Sequence, residues 1–285
     1  NSTPSSSTIT QTEFTLNTDI DEAGTIYFVV LADGATAPTS AEVKTGTGSG
    51  GSGQITSGNA AVATGGFTND FSITGLTAST AYDVYLVAQD DEGTPNLQAS
   101  PTKVDVATIA TEPTIAANTI TQSSISTTSM TIGWTNGNGA RRMVVAKSGS
   151  AVDANPIDAT VGYSSNASFG SGTDLGSSNF VVYDGTGTSF SLTALTAGTI
   201  YHFKVVEFNG TSATANYFLT GAPTGNNTTL IPDTTKPVIT VCAVTPANIS
   251  ADASCEAAVL DLTGSVTATD NSGVAPVITQ SPAAG

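Results

Sequence analysis

The stretch LTASTAYDVYLVAQD, residues 76–90, returns as LTAGTIYHFKVVEFN, residues 195–209, with Leu, Thr, Ala, Thr and Tyr held in step. The two tyrosines, Tyr82 and Tyr201, lie 119 residues apart, close to the length of one domain. A phrase repeated at that distance implies repeated folding units. Each copy alternates: Tyr82, Val84, Leu86 and Ala88 share one face, while Asp83, Tyr85, Val87 and Gln89 share the other. In the second copy Tyr201, Phe203 and Val205 oppose His202 and Lys204. Period two predicts a strand with one buried face.

Further alternating runs predict strands at 13–18, 24–32, 69–76 and 103–109 in the first unit. The second unit offers 129–135, 141–147, 179–185 and 189–195, besides its copy of the phrase. Beyond a short turn around Ser40–Val43 there is no helical signal. Pro and Thr gather in TEPTIAAN (111–118) and TLIPDTTKPVIT (229–240), which predicts domains over 1–110, 111–232 and 233–285. Short strands bounded by turns make this an all-β chain of tandem sandwiches, arranged as beads on a string.

Only 11% of the 285 residues are charged, and 7 bases stand against 23 acids, a net charge of −16. That surface repels phosphate backbones and anionic lipid, so nucleic acid is excluded as a partner. Membrane insertion is excluded as well, because no run of about 20 apolar residues exists. The excess is uneven: −10 over 1–111, −2 over 112–232 and −4 over 233–285. Cys242 and Cys255, with 12 residues between them, favour one disulfide and an oxidising compartment; two unrelated thiols are the alternative.

Catalysis has little to work with. His202 is the sole histidine, on the outward face beside Lys204, and reads as a surface residue. Cys/His zinc sites lack ligands. The tract GTGSGGSG (46–53) spells G-x-G-x-x-G at Gly46, Gly48 and Gly51, but no βαβ context surrounds it, so it reads as a flexible surface loop without a cofactor.

The phrase L-T-A-x-T-x-Y followed by alternating apolar residues resembles the E–F corner and F strand of fibronectin type III domains. The resemblance implies that Tyr82 and Tyr201 are corner tyrosines bonded to upstream backbone. It also implies that Trp134, in SMTIGWTNGNGARRMVVAK, fills the B-strand core position, where the first unit has Thr18 or a neighbour. Residues 233–285, with DTTKPVITVCA, Cys255 and TATDNSG, resemble the start of a hyalin repeat, an immunoglobulin-like module. In that motif Ser272 stands where hyalin repeats carry Cys, which leaves Cys242–Cys255 as the implied bridge. Units of this kind look like repeats of very large surface proteins exported by Bacteroidetes. The resemblance implies a non-catalytic extracellular stalk or adhesin, whose partners are neighbouring domains of a longer chain and surface glycans or other cells. Alternatives are accessory modules of a secreted polysaccharide-degrading enzyme, or a filament subunit that borrows a neighbour's strand.

Two acidic turns carry a further expectation. Asp19, Asp21 and Glu22 lie between the B and C strands, and Asp90, Asp91 and Glu92 between F and G. In such a sandwich both turns share one end, so the six carboxylates form a candidate Ca²⁺ site stiffening a joint with a preceding domain. The alternative is a solvated pair of acidic turns. For sugar stacking, Tyr163, Phe169, Tyr183 and Tyr217 are candidates, scattered along the second unit. Sequons at Asn166, Asn209, Asn227 and Asn248, and the Asp233-Thr234-Thr235 O-glycosylation-like triplet, are candidate modification sites.

Overall fold

A computed structural model describes residues 4–63, 67–243, 250–272, 274–281 and 283–284. The chain divides into two units, Asn1–Leu230 and Ile231–Gly285. The first unit holds two β-sandwiches.

In the first sandwich β1 (Ser5–Ser7), β2 (Phe14–Ile20) and β5 (Phe67–Ile73) form one sheet in the order β1-β2-β5. Facing it lie β3 (Gly24–Ala32), β4 (Gln54–Val62), β6 (Ala81–Asp90) and β7 (Thr102–Ala107), in the order β4-β3-β6-β7. All pairings are antiparallel. The second sandwich repeats this arrangement. There β12 (Ser189–Leu192), β9 (Met130–Thr135) and β8 (Asn118–Ser123) face β11 (Phe180–Gly185), β10 (Arg141–Ser148) and β13 (Ile200–Asn209). Two further strands, β14 (Asn216–Phe218) and β15 (Thr224–Thr228), both pair with β13. The chain is therefore all-β, built as tandem fibronectin type III-like sandwiches.

Alternation explains the cores. Phe14 and Leu16 of β2, Ile26, Phe28 and Val30 of β3, and Tyr82, Val84 and Leu86 of β6 close the first core. Met130, Ile132 and Trp134 of β9 meet Val144, Tyr201, Phe203 and Val205 in the second. Burying one such aliphatic or aromatic side chain stabilises the fold by about 1.5–3 kcal/mol.

The expectation of one buried face needs correction for both long strands. Behind β3 and β6, Val29, Leu31, Tyr85 and Val87 form a second cluster with Val43. Val43 belongs to a five-residue helix, α1 (Ser40–Lys44), begun by a capping box between Thr39 and Glu42. The glycine tract after it is not a free loop either. The Glu42 carboxylate accepts from Thr39 N–H and Gly50 N–H, both at 2.7 Å, and residues 54–62 then run as β4. In the second sandwich Met143, Val145, Val206, Phe208 and Tyr217 form the equivalent outer cluster, covered by the 149–179 segment through Val152, Tyr163 and Leu175.

In the second unit β16 (Val238–Val241) pairs antiparallel with β17 (Thr267–Thr269). The expected Cys242–Cys255 bridge is not formed: both are free, exposed thiols. Cys255 sits at φ 62° in a turn closed by its N–H on Asp252 O, and Asp252 Oδ1 accepts from Ser254 N–H and Glu256 N–H. That local network fixes its backbone without help from the other thiol. Asn248 lies outside the described residues.

Candidate functional site

Each corner tyrosine reaches back five residues. Thr77 N–H donates to Tyr82 Oη at 2.8 Å, and Thr196 N–H to Tyr201 Oη at 2.9 Å. A threonine latch completes each corner: Thr108 Oγ1 donates to Thr77 O and Thr229 Oγ1 to Thr196 O, both at 2.6 Å. These are folding devices, and they deliver the chain at a defined place to the linker.

The linker between the sandwiches is an irregular segment whose backbone is hydrogen-bonded to both of them. Thr108 and Ile109 are held by the first sandwich, through Thr108 N–H on Thr80 O and Ile109 N–H on Thr10 O. From Ala110 onward the second sandwich takes over. Ala110 N–H donates to Thr214 O, while the buried Asn216 Nδ2 donates to Ala110 O at 2.7 Å. Asn209 Nδ2 donates to Thr111 O at 2.7 Å and its Oδ1 accepts from Ala140 N–H at 2.7 Å. Asn138 Oδ1 accepts from both Thr114 N–H and Ile115 N–H, at 3.0 and 2.8 Å. Pro113, between Thr111 and Thr114, is buried. Three asparagines thus strap the linker to one sandwich end.

That end is fixed from beneath by a buried ion pair. Arg142 Nε donates to Glu207 Oε1 at 2.9 Å, with side chains 7% and 0% exposed. The same carboxylate accepts from Gly137 N–H at 2.7 Å and Gly139 N–H at 2.9 Å, while Arg142 Nη2 donates to Gly139 O at 2.9 Å. So Glu207 neutralises a buried cation and closes the Asn136–Gly139 turn that carries Asn138. Both glycines are required by close approach. A Cβ on Gly137 would overlap the Ile115 carbonyl, and one on Gly139 would lie 2.6 Å from Glu207 Oε2.

The structure does not gather the predicted calcium ligands. Asp90 Oδ1 and Oδ2 accept from Asn96 N–H and Nδ2 at 2.8 and 3.1 Å, and the Asn96 N–H holds its carboxyl below the usual range. Asp19 is half-buried on β2, while Asp21, Glu22, Asp91 and Glu92 are exposed. Among the described residues the carboxylate trio that does converge is Asp33, Asp83 and Asp105, with oxygens within 4.8 Å of one another. It lies at the other end of β6, seven residues or about 23 Å from Asp90. A cation already serves it: Lys103 Nζ is 2.7 Å from Asp105 and 3.0 Å from Asp83, and these carboxylates raise its pKa. Asp83 Oδ2 also accepts from Gly34 N–H, so the group reads as a structural clasp of the β3–α1 turn.

His202 lies across from Lys147 on β10 and Asn226 on β15 and is partly exposed, with no hydrogen bond or ion pair to a carboxylate among the described residues. The Asn209 amide is consumed by the strap and Asn227 Oδ1 accepts from Thr228 N–H, while Asn166 is exposed.

The four aromatic candidates divide. Phe169 packs edge-on against Phe180 and Tyr201, and Tyr183 against Trp134, inside the second core. Tyr163 and Tyr217, 54 positions apart in sequence, are brought to 6.3 Å between ring centroids, and Phe208 lies 4.8 Å from Tyr217. They line a pocket of about 160 Å³ together with Thr160, Asp184 and Ser212. Sequence reasoning had no signal for this, because Tyr163 arrives on a long irregular segment.

No protein-family model matches the chain, and no curated protein does. Solved structures do. One is a two-fibronectin-type-III-domain segment from chicken tenascin, 17% identical, covering 79% of this chain and 96% of that one with a TM-score of 0.28. Another is the FN1–FN3 domains of chicken CNTN1, 12% identical, covering 78% and 61%, with a TM-score of 0.39. A third is the central fibronectin-III array of RIM-binding protein, 11% identical, covering 85% and 76%, at 0.26. The chain spans about three-fifths of the length of the CNTN1 segment.

Proposed function

We propose that residues 1–230 form a stiff, non-catalytic spacer of an extracellular protein, the stalk segment of a surface protein or adhesin. The observation that carries this reading is the linker. A flexible connection between sandwiches leaves its amides to water, whereas here the backbone of Ala110, Thr111, Thr114 and Ile115 is bonded to the second sandwich. The buried Arg142–Glu207 pair then holds the receiving turn. Inter-domain motion is the default unless the interface restrains it, and this one does so by hydrogen bonds. The motifs resembling hyalin repeats and exported Bacteroidetes surface proteins support an extracellular setting.

Spin labels at Ile55→Cys and Ser191→Cys, with Cys242 and Cys255 replaced by Ser, test the reading. One narrow inter-label distance is expected, broadened in the Asn138→Ala/Asn209→Ala variant. A broad distribution in the parent protein would sink the stiff-spacer reading.

A further inference from the structure

We infer that the pocket between Tyr163, Phe208 and Tyr217 is a binding site for one neutral pyranose ring, the terminal residue of a glycan. The site is independent of the spacer reading and survives its failure.

Size comes first. A cavity of about 150 Å³ accepts benzene, so one of about 160 Å³ takes a single six-membered ring and not an oligosaccharide. Chemistry comes second. Phe208 and Tyr217 are 2% and 5% exposed and form an aromatic floor, while the half-exposed Tyr163 ring stands at the mouth. Around them are the hydroxyls of Thr160 and Ser212 and the Asp184 carboxylate. The Tyr217 hydroxyl has no hydrogen-bond partner among the described residues. Burial, followed by the charge of Asp184, pushes its pKa up, so it remains a neutral donor. An aromatic surface for C–H groups, ringed by hydroxyl and carboxylate partners, suits a sugar; a purely apolar ring would leave those polar groups desolvated and unpaired.

Charge excludes the neighbouring possibilities. Asp184 Oδ1 already accepts from Arg141 Nε and Nη2, at 3.0 and 2.8 Å, and the Arg141 guanidinium lies over the Phe208 ring at 5.8 Å. The carboxylate is therefore neutralised, and a ligand cation finds no unbalanced negative charge. An anionic sugar meets a chain of net charge −16.

The walls are set before a ligand arrives. Ala159 N–H donates to Ala215 O at 2.9 Å, Tyr217 N–H to Asp158 Oδ1 at 2.7 Å, and Ile157 N–H to Tyr163 Oη at 3.1 Å. These bonds fix the 157–163 segment across the β13–β14 connection, so little ordering is left for binding to overcome.

Titration of the ¹⁵N-labelled protein with glucose, galactose, mannose and N-acetylglucosamine, followed by amide shifts, tests the site. At least one sugar is expected to give saturable shifts confined to 157–163, 184 and 208–217. With about a dozen heavy atoms the dissociation constant falls on the order of millimolar. Tyr163→Ala should weaken binding at least about tenfold and Tyr217→Phe several-fold, while Tyr163→Phe, which keeps the ring and gives up only the Ile157 bond, should weaken it less than either. Unchanged amide shifts outside the pocket in each variant verify the fold. The inference fails if none of the four sugars gives saturable shifts, if the shifts persist in Tyr163→Ala, or if tetramethylammonium or glucuronate saturates the pocket and neutral sugars do not.

Discussion

The two sandwiches share a strand order but differ at one end. Across β3 and β6 of the first, the inward cross-strand pair is Ile26 and Ala88; the same step of β10 and β13 holds Arg142 and Glu207. On β2 the third inward residue is Thr18, where β9 has Trp134. Small side chains leave a hollow of about 160 Å³ in the first sandwich, lined by Thr18, Ile26, Leu86 and Ala88. The second fills that end with an indole and a buried ion pair, and it is the end that receives the linker. An ion pair seldom improves on apolar packing, because desolvation offsets its attraction. Here its carboxylate also orders two turn amides, which Ala88 cannot do. The difference teaches that a repeat can keep its core and alter the end that must hold a neighbour.

Exchanging residues between the copies tests this. The largest effect is expected for Glu207→Ala, which strands a buried guanidinium and should cost the second sandwich about 3–5 kcal/mol in chemical unfolding. Adding Arg142→Ile, which copies the first sandwich, should recover much of that loss. The turn would stay released, so amides of Thr114 and Ile115 should still exchange faster than in the parent protein. Full recovery of both stability and exchange protection would refute the role given to Glu207. Trp134→Thr should cost about 3 kcal/mol through lost packing, read from the same unfolding transition. The reverse exchange, Thr18→Trp, should raise the stability of the first sandwich by about 1 kcal/mol if the indole enters the hollow. Tyr82→Phe and Tyr201→Phe should each cost about 1 kcal/mol, since each hydroxyl accepts from the threonine N–H five residues upstream.

Acid should act on both sandwiches through depressed carboxyls. Asp90 is lowered by Asn96, and Asp153 by Lys147 and Asn179. A group whose folded pKa lies below its unfolded value stabilises above the unfolded value and loses that contribution as pH falls through the folded one. Thermal midpoints should therefore be flat near neutrality and drop below about pH 4. Asp153→Asn should flatten part of the second sandwich's drop.

Much of the fold was legible because apolar alternation and the repeated corner are local signals. Among the strands that sequence reading missed, β4, β8 and β15 are rich in Ser, Thr, Asn and Gly and are held chiefly by backbone pairing. Legibility fell further at the joint, whose partners lie far apart in sequence: Asn209 meets Thr111 across 98 residues and Asn216 meets Ala110 across 106. One clue was present. Glu207 falls in phase with Tyr201, Phe203 and Val205, a charge in a buried register that calls for a buried partner. The acidic turns misled for the opposite reason: shared position at one end does not bring carboxylates together when a loop such as Asp90–Asn96 uses them locally.

The strapped linker is most directly tested by ¹⁵N relaxation over both sandwiches of the intact protein. The structure predicts one anisotropic tumbling tensor for residues 5–230, with linker amides 110–115 as ordered as the strands. Two independent tumbling times, or a linker with order parameters below about 0.6, would contradict it.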